Sequence, residues 1–162
     1  MLKHFNYWQV CAISFLFIIT ACKEKAPSTT EKVDHYENGS VSRRTTLVNG
    51  IKDGKMTDYY NTGEVMAEKW FKNGNQEGRT LVYYKNGKIK EVQYFREGLH
   101  QGGDTIWYEN GQLQFTVMYE NNVRHGDMYK WSPEGELIYQ SRFSHDTLVE
   151  VKGDLIKRAP SK

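Results

Sequence analysis

"YKNGK", Tyr84 to Lys88, returns as "YENGQ", Tyr108 to Gln112, 24 residues later. The interval belongs to the whole chain. Gly39, Gly63, Gly87, Gly111 and Gly135 stand 24 apart. Gly50, Gly74 and Gly98 form a second series that Asn122 continues, and Gly54, Gly78, Gly102 and Gly126 form a third. Tyr36, Tyr60, Tyr84 and Tyr108 hold the same interval until Ser132 breaks it. Tyr59, Tyr83, Trp107 and Trp131 make another aromatic column, and Leu47, Phe71, Phe95, Tyr119 and Phe143 a third. Two residues after each first-series glycine comes an aliphatic: Val41, Val65, Ile89, Leu113 or Leu137. A fixed period of this length marks a repeat architecture, in which each unit buries its apolar surface only against its neighbours.

One unit, Tyr60 to Tyr83, shows what is being repeated. Apolar residues do not recur at three and four, so an amphipathic helix is excluded. Segments rich in Val, Thr, Tyr, Phe and Trp alternate with Asn, Gly and Thr, the composition of strands and turns. The fold expected is all-β: an elongated antiparallel β-hairpin repeat sheet of about five 24-residue units. Asn86-Gly87 and Asn110-Gly111 read as two-residue type I′ corners, because that dipeptide tolerates positive φ at both positions. Asn73 to Gly78 reads as a longer loop. Such a corner sets Tyr84 across from Ile89, Tyr60 from Val65 and Tyr108 from Leu113 as a packing ladder. On the other face it sets Tyr83 across from Lys90 and Trp107 from Gln114.

The N-terminus is a different kind of text. After Lys3, an apolar run from Val10 to Ile19 is too short for a bilayer span, which needs about 20 residues, and reads as a secretory signal peptide. It ends Ile19-Thr20-Ala21-Cys22, which resembles the lipobox of bacterial lipoproteins. That resemblance implies lipidation of Cys22 and an exported, membrane-anchored protein on the outer membrane or cell surface. Residues 1–21 are then the signal and 22–34 the lipidated cysteine with a polar, disordered tether. Residues 35–152 are the repeat domain and 153–162 a C-terminal tail. Cys11 leaves with the signal, so the mature chain has no free thiol for a disulfide or a nucleophile.

Charge and motifs exclude more than they identify. From Cys22 onward 21 basic and 20 acidic side chains are interspersed, without the clustered basic face that phosphate contacts need, so nucleic acid is not an expected partner. His35, His100, His125 and His145 are out of phase with the repeat and make no metal-ligand spacing, so no metal is expected. Gly102-Gly103 lacks the lysine and helix of a phosphate loop. Asp53, Asp58, Asp104 and Asp127 read as solvated residues near turns. No serine sits in a nucleophile elbow. No catalytic residue and no cofactor is expected, and the chain reads as non-enzymatic.

The full pattern has three parts: Tyr-x-Asn-Gly-x-aliphatic, aromatic-x-x-Gly-x-x-x-Gly, and an aromatic pair. It resembles the bacterial variant of the MORN repeat, over four good copies and a degenerate fifth. Proteins with this variant include the YwqK-type antitoxin-like group. The resemblance implies a run of antiparallel hairpins that mediates contacts, and it supplies no active site. The function expected is a lipid-anchored protein-interaction module of the cell envelope with an unknown protein partner. Tyr83, Trp107, Trp131 and Trp70 are the candidate contact residues, because Trp and Tyr dominate binding hot spots. The alternative is a glycan or peptidoglycan binder that stacks the same rings on sugars.

Overall fold

A computed structural model describes residues 25–152. Among them fourteen strands form one antiparallel sheet, with no helix. The strands are β1 (Thr29–His35), β2 (Val41–Val48), β3 (Ile51–Tyr59), β4 (Val65–Lys72), β5 (Asn75–Gln76), β6 (Gly78–Tyr83) and β7 (Ile89–Arg96). They continue with β8 (Leu99–His100), β9 (Gly102–Trp107), β10 (Leu113–Glu120), β11 (Val123–Arg124), β12 (Gly126–Trp131), β13 (Leu137–Ser144) and β14 (Thr147–Lys152). Order in space follows order in sequence, β1-β2-β3-β4-β6-β7-β9-β10-β12-β13-β14. The short β5, β8 and β11 pair with β4, β7 and β10 as the first steps of β6, β9 and β12. The sheet is therefore the all-β hairpin meander that the period implies.

The two kinds of corner are the reverse of the expected assignment. At Tyr84 the N–H donates to the Lys88 carbonyl and the Gly87 N–H to the Tyr84 carbonyl, each at 2.9 Å. This closes a three-residue loop, a type I turn followed by one left-handed residue. Only Gly87 is left-handed, with φ 80°. Asn86 instead turns its side chain back, and its Oδ1 accepts the Lys88 N–H at 3.0 Å. Asn38 and Asn110 do the same for Ser40 and Gln112. The two-residue corners lie at the second series. Asn73-Gly74, Glu97-Gly98 and Asn121-Asn122 all have positive φ at both positions. The segment read as a longer loop, Asn73 to Gly78, is such a corner followed by β5 and a left-handed Gly78.

This exchange shifts the register by one. Tyr83 lies opposite Ile89 and Val82 opposite Glu91, so Lys90 is left over as a bulge. Ser42, Met66, Gln114 and Ile138 are left over in the same way, once per unit. Tyr84 therefore does not face Ile89; it closes the loop with Lys88. Trp107 lies opposite Leu113, not Gln114. A second correction concerns the tether. Residues 29–34 are not disordered: they form β1, paired residue for residue with β2. Polar Thr, Glu, Lys and Asp suit an edge strand, where charge discourages further pairing. Cys22, the signal segment 1–21 and the tail 153–162 lie outside the described residues.

Units are joined by three sets of contacts with the same period. The hydroxyls of Tyr36, Tyr60, Tyr84 and Tyr108 donate to the carbonyls of Tyr59, Tyr83, Trp107 and Trp131, at 2.6 to 2.9 Å. The N–H groups of Gly74, Gly98, Asn122 and Asp146 donate to the carbonyls of Lys52, Gln76, His100 and Arg124 in the unit before. On the same column Lys52 lies over Phe71, His100 stacks on Tyr119 and Arg124 lies over Phe143. The tyrosine column is thus a hydrogen-bonded staple between units, not a packing ladder. It stops at Ser132, where serine replaces the tyrosine of the column.

Alternation along strands and pairing across them define two faces. Of the eleven buried residues among those described, nine lie on one of them, which we call the core face: Thr45, Met56, Asp58, Ala67, Thr80, Asp104, Val117, Ser141 and Phe143. Thr57 and Leu81 alone are buried on the other.

Candidate functional surface

The four contact candidates all lie on the face opposite the core. Tyr83, Trp107 and Trp131 occupy equivalent ends of β6, β9 and β12, each directly across from an aliphatic residue: Ile89, Leu113 and Leu137. Each aromatic ring is half-buried, while Ile89, Leu113 and Leu137 are 44, 36 and 52% exposed. With strands about 4.8 Å apart, successive pairs recur at about 9.6 Å. The result is a continuous apolar stripe along the ribbon beside the tyrosine loops.

Local interactions hold the rings in place. The Tyr83 hydroxyl donates to Glu68 Oε2 at 3.1 Å, in an open cleft of about 450 Å³ lined by Val65, Lys85 and Gly87. Burial, and after it Glu68, pushes the Tyr83 phenol above its ordinary pKa, so it remains a donor at neutral pH. Trp131 stacks on Tyr129, with centroids 5.7 Å apart. Trp70 is set apart from the stripe: it lies near the opposite end of β4, across from Lys55, whose ammonium covers its ring. The structure thus groups three of the four candidates and separates the fourth.

Trp70 belongs to a second apolar column, which the sequence reading did not single out as a site. Its equivalents in the following units are Tyr94 and Met118, 47 and 49% exposed. Between these two lies Gly103, paired with Met118 on β10. The equivalent positions in other units are Lys55, Arg79 and Asp127. Gly103 has no side chain where they have long or charged ones, and an open cleft of about 640 Å³ forms there. Tyr94 and Met118 wall it, and Glu77, Arg96, Glu120 and His125 ring it. The signal was present in the sequence: Gly103 falls outside all three glycine series.

The first-series glycines serve the fold and not the surface. Gly39, Gly63, Gly87, Gly111 and Gly135 all have φ between 84° and 102° or, at Gly87, 80°. An added Cβ at Gly87 would meet nothing within 4 Å, so its requirement is purely one of backbone conformation.

The two buried carboxylates lie on the core face. Asp58, read as a solvated turn residue, is 3% exposed and accepts from Arg43 and from Lys69, the latter at 3.1 Å. Burial raises its pKa, but these two bonds outweigh burial and hold it below the ordinary carboxylate range. Asp104, read in the same way, is 7% exposed. Asp53 does sit at a corner, where it accepts the Asn73 N–H, and Asp127 is an exposed partner of Arg142. His100 is stacked between Phe95 and Tyr119, and burial lowers its pKa. Among the described residues no three His, Cys, Asp or Glu side chains are grouped as a metal site requires.

Comparison with known families gives one result. The MORN repeat variant family matches residues 76–97 and 105–121, which run from β5 through β7 and from β9 through β10. The two matched segments fall in consecutive repeat units and include Tyr83, Tyr94, Trp107 and Leu113. No curated protein matches the chain.

Proposed function

We propose that the chain is a non-catalytic protein-interaction module of the cell envelope, anchored through a lipid on Cys22. It binds its partner along the face opposite the core. The carrying observation is the stripe of Tyr83–Ile89, Trp107–Leu113 and Trp131–Leu137, three equivalent pairs on one face whose aliphatic members are the exposed ones. Exposed apolar surface that recurs in register is costly to leave in water and marks a contact surface. The match to MORN repeat variant units supports an interaction role. An antitoxin-like role, with a toxin as the partner, is a narrower form of the same reading.

The surface favours protein over glycan. Sugar stacking needs the flat of an indole open to solvent, and here each indole is half-buried, with Trp70 and Trp131 covered by Lys55 and Tyr129. What remains exposed is aliphatic, and it suits side chains of another protein.

Site-specific photocrosslinking tests the reading. A photoreactive residue at Ile89 or Leu113 should give one discrete protein adduct in intact cells, and one at Lys130, on the core face, should give none. Equal adducts from both faces, or adducts only to polysaccharide, would remove the proposal.

A further inference from the structure

We propose that Asp104 and Glu91 are a proton-sharing carboxyl pair that makes the junction between β7 and β9 a pH-gated hinge of the ribbon. Asp104 is 7% exposed on the core face of β9, and its Oδ1 has no hydrogen-bond partner among the described residues. Across the junction Glu91 pairs with Ile106 and Val92 with Thr105, so the same register brings Gln93 opposite Asp104 and Glu91 diagonal to it. Gln93 Nε2 donates to Glu91 Oε1 at 2.7 Å, and the same side chain gives Asp104 a smaller stabilising interaction, so one amide is shared between the two carboxylates.

The sheet contains its own control. Asp58 is equally buried on the same face, but two cations, Arg43 and Lys69, reach it. Among the described residues no cation pairs with Asp104. The groups facing it are Glu91 and Gln93 from β7, and Val117 and Tyr119 from β10. His100 of β8 lies under Tyr119, and burial disfavours its charged form. Of the nearest cations on this face, Lys69 is held by Asp58, Arg124 by Asp146, and Lys130 lies beyond Phe115. Burial first, and then the Glu91 charge, push the Asp104 carboxyl up to about 6 against a smaller lowering by Gln93. The Tyr119 phenol, raised by its own burial and by Asp104, registers the same uncompensated charge.

The sign follows directly. A carboxyl whose folded pKa is raised from 3.8 to about 6 is neutral in the closed junction below that range and must ionise in place above it. The closed junction is therefore tightest below the ordinary carboxyl pKa of 3.8, loosens as pH rises from there to about 6, and levels off above that. In a repeat ribbon each unit leans only on its neighbours, so one weak junction opens by itself without unfolding the rest.

Amide hydrogen exchange on the full chain, corrected for intrinsic rates, reads this junction at pH 4.5 and pH 7. Val92 and Thr105 should open about tenfold more at pH 7, below the roughly 25-fold ceiling that a shift from 3.8 to about 6 sets between these two pH values and that solvent screening reduces. Thr57 and Glu68, at the β3–β4 pairing beside Asp58, should not open more. Asp104→Asn should abolish the difference. Where that variant does not fold, Glu91→Gln should shrink the difference, because burial of Asp104 remains and repulsion does not. Equal opening at both pH values, a difference that survives Asp104→Asn, or a Glu91→Gln variant that behaves as wild type overturns the proposal.

Discussion

Removing one hydroxyl from the tyrosine staple should lower stability by a calculable amount. In Tyr84→Phe the ring stays, and only the 2.7 Å bond to the Trp107 carbonyl is lost. That bond is part-buried, so its net contribution is about 1 kcal/mol, with a range of about 0.5–1.5. Unfolding entropy for a sheet running from Thr29 to Lys152 is about 0.26 kcal/mol/K at about 2.1 cal/mol/K per residue. The thermal midpoint should therefore fall by about 4 °C, and by no more than about 6 °C. Tyr60→Phe and Tyr108→Phe break equivalent bonds and should match it. These two lie two units apart, about 19 Å along the ribbon, so the double variant should lose the sum of the single losses. Tyr94→Phe is the control, because Tyr94 stands on the exposed column. Differential scanning calorimetry on the four single variants decides the matter. A Tyr84→Phe midpoint indistinguishable from that of Tyr94→Phe would show that the column does not join the units.

Other substitutions separate the remaining parts of the account. Gly87→Val places a β-branched residue at φ 80°, and by denaturant midpoint it should cost about 1–2 kcal/mol, with Gly87→Asn costing less. Gly103→Arg should leave stability nearly unchanged, because its backbone is ordinary, a Cβ there meets only Met118 Sδ at 3.6 Å, and Arg79 fills the equivalent place; a loss as large as that of Gly87→Val would contradict the equivalence of the units. Asp58 has a lowered pKa, so its contribution is present above pH 4 and disappears as pH falls below the ordinary carboxylate range. Asp58→Asn should flatten the acid limb of a stability–pH curve, and an unaltered limb would count against the Arg43–Asp58–Lys69 cluster. Cys22→Ala should yield an unprocessed or soluble product, and membrane fractionation identical to wild type would exclude the lipid anchor.

Period, strand content and the positive φ of the first-series glycines were legible because each is a local property repeated five times. The corner types were not. Asn-Gly stands in both glycine series, and the dipeptide serves equally as a two-residue left-handed corner at Asn73-Gly74 and as the end of a three-residue loop at Asn86-Gly87. What selects between them is not local: the loop places Tyr84 where its hydroxyl meets a carbonyl 23 residues later. In other units the two-residue corner is hidden by Glu97 and by His145-Asp146, residues that seldom read as left-handed. A one-residue slip then exchanges every cross-strand partner, which is why Tyr83 gained Ile89 in place of Lys90. The division of aromatics into two faces survived the slip, because alternation along a strand does not depend on its partner. Asp58 and Asp104 were read as solvated because their type is usually exposed, and only the pairing shows one neutralised and the other not.

The central claim is that one repeated unit separates folding from recognition, with the tyrosine staple serving the first and the aliphatic–aromatic stripe the second. The direct test measures thermal midpoint and photocrosslinking yield together for two variants, with the photoreactive residue fixed at Ile89. Leu113→Lys, on the exposed stripe, should keep the midpoint within about 2 °C of wild type and lose most of the adduct, since hot-spot losses of about 2 kcal/mol lower affinity about 30-fold. Tyr84→Phe should lower the midpoint by about 4 °C and keep the adduct. A Leu113→Lys variant that unfolds, or one that retains the full adduct while Tyr84→Phe loses it, would contradict the account.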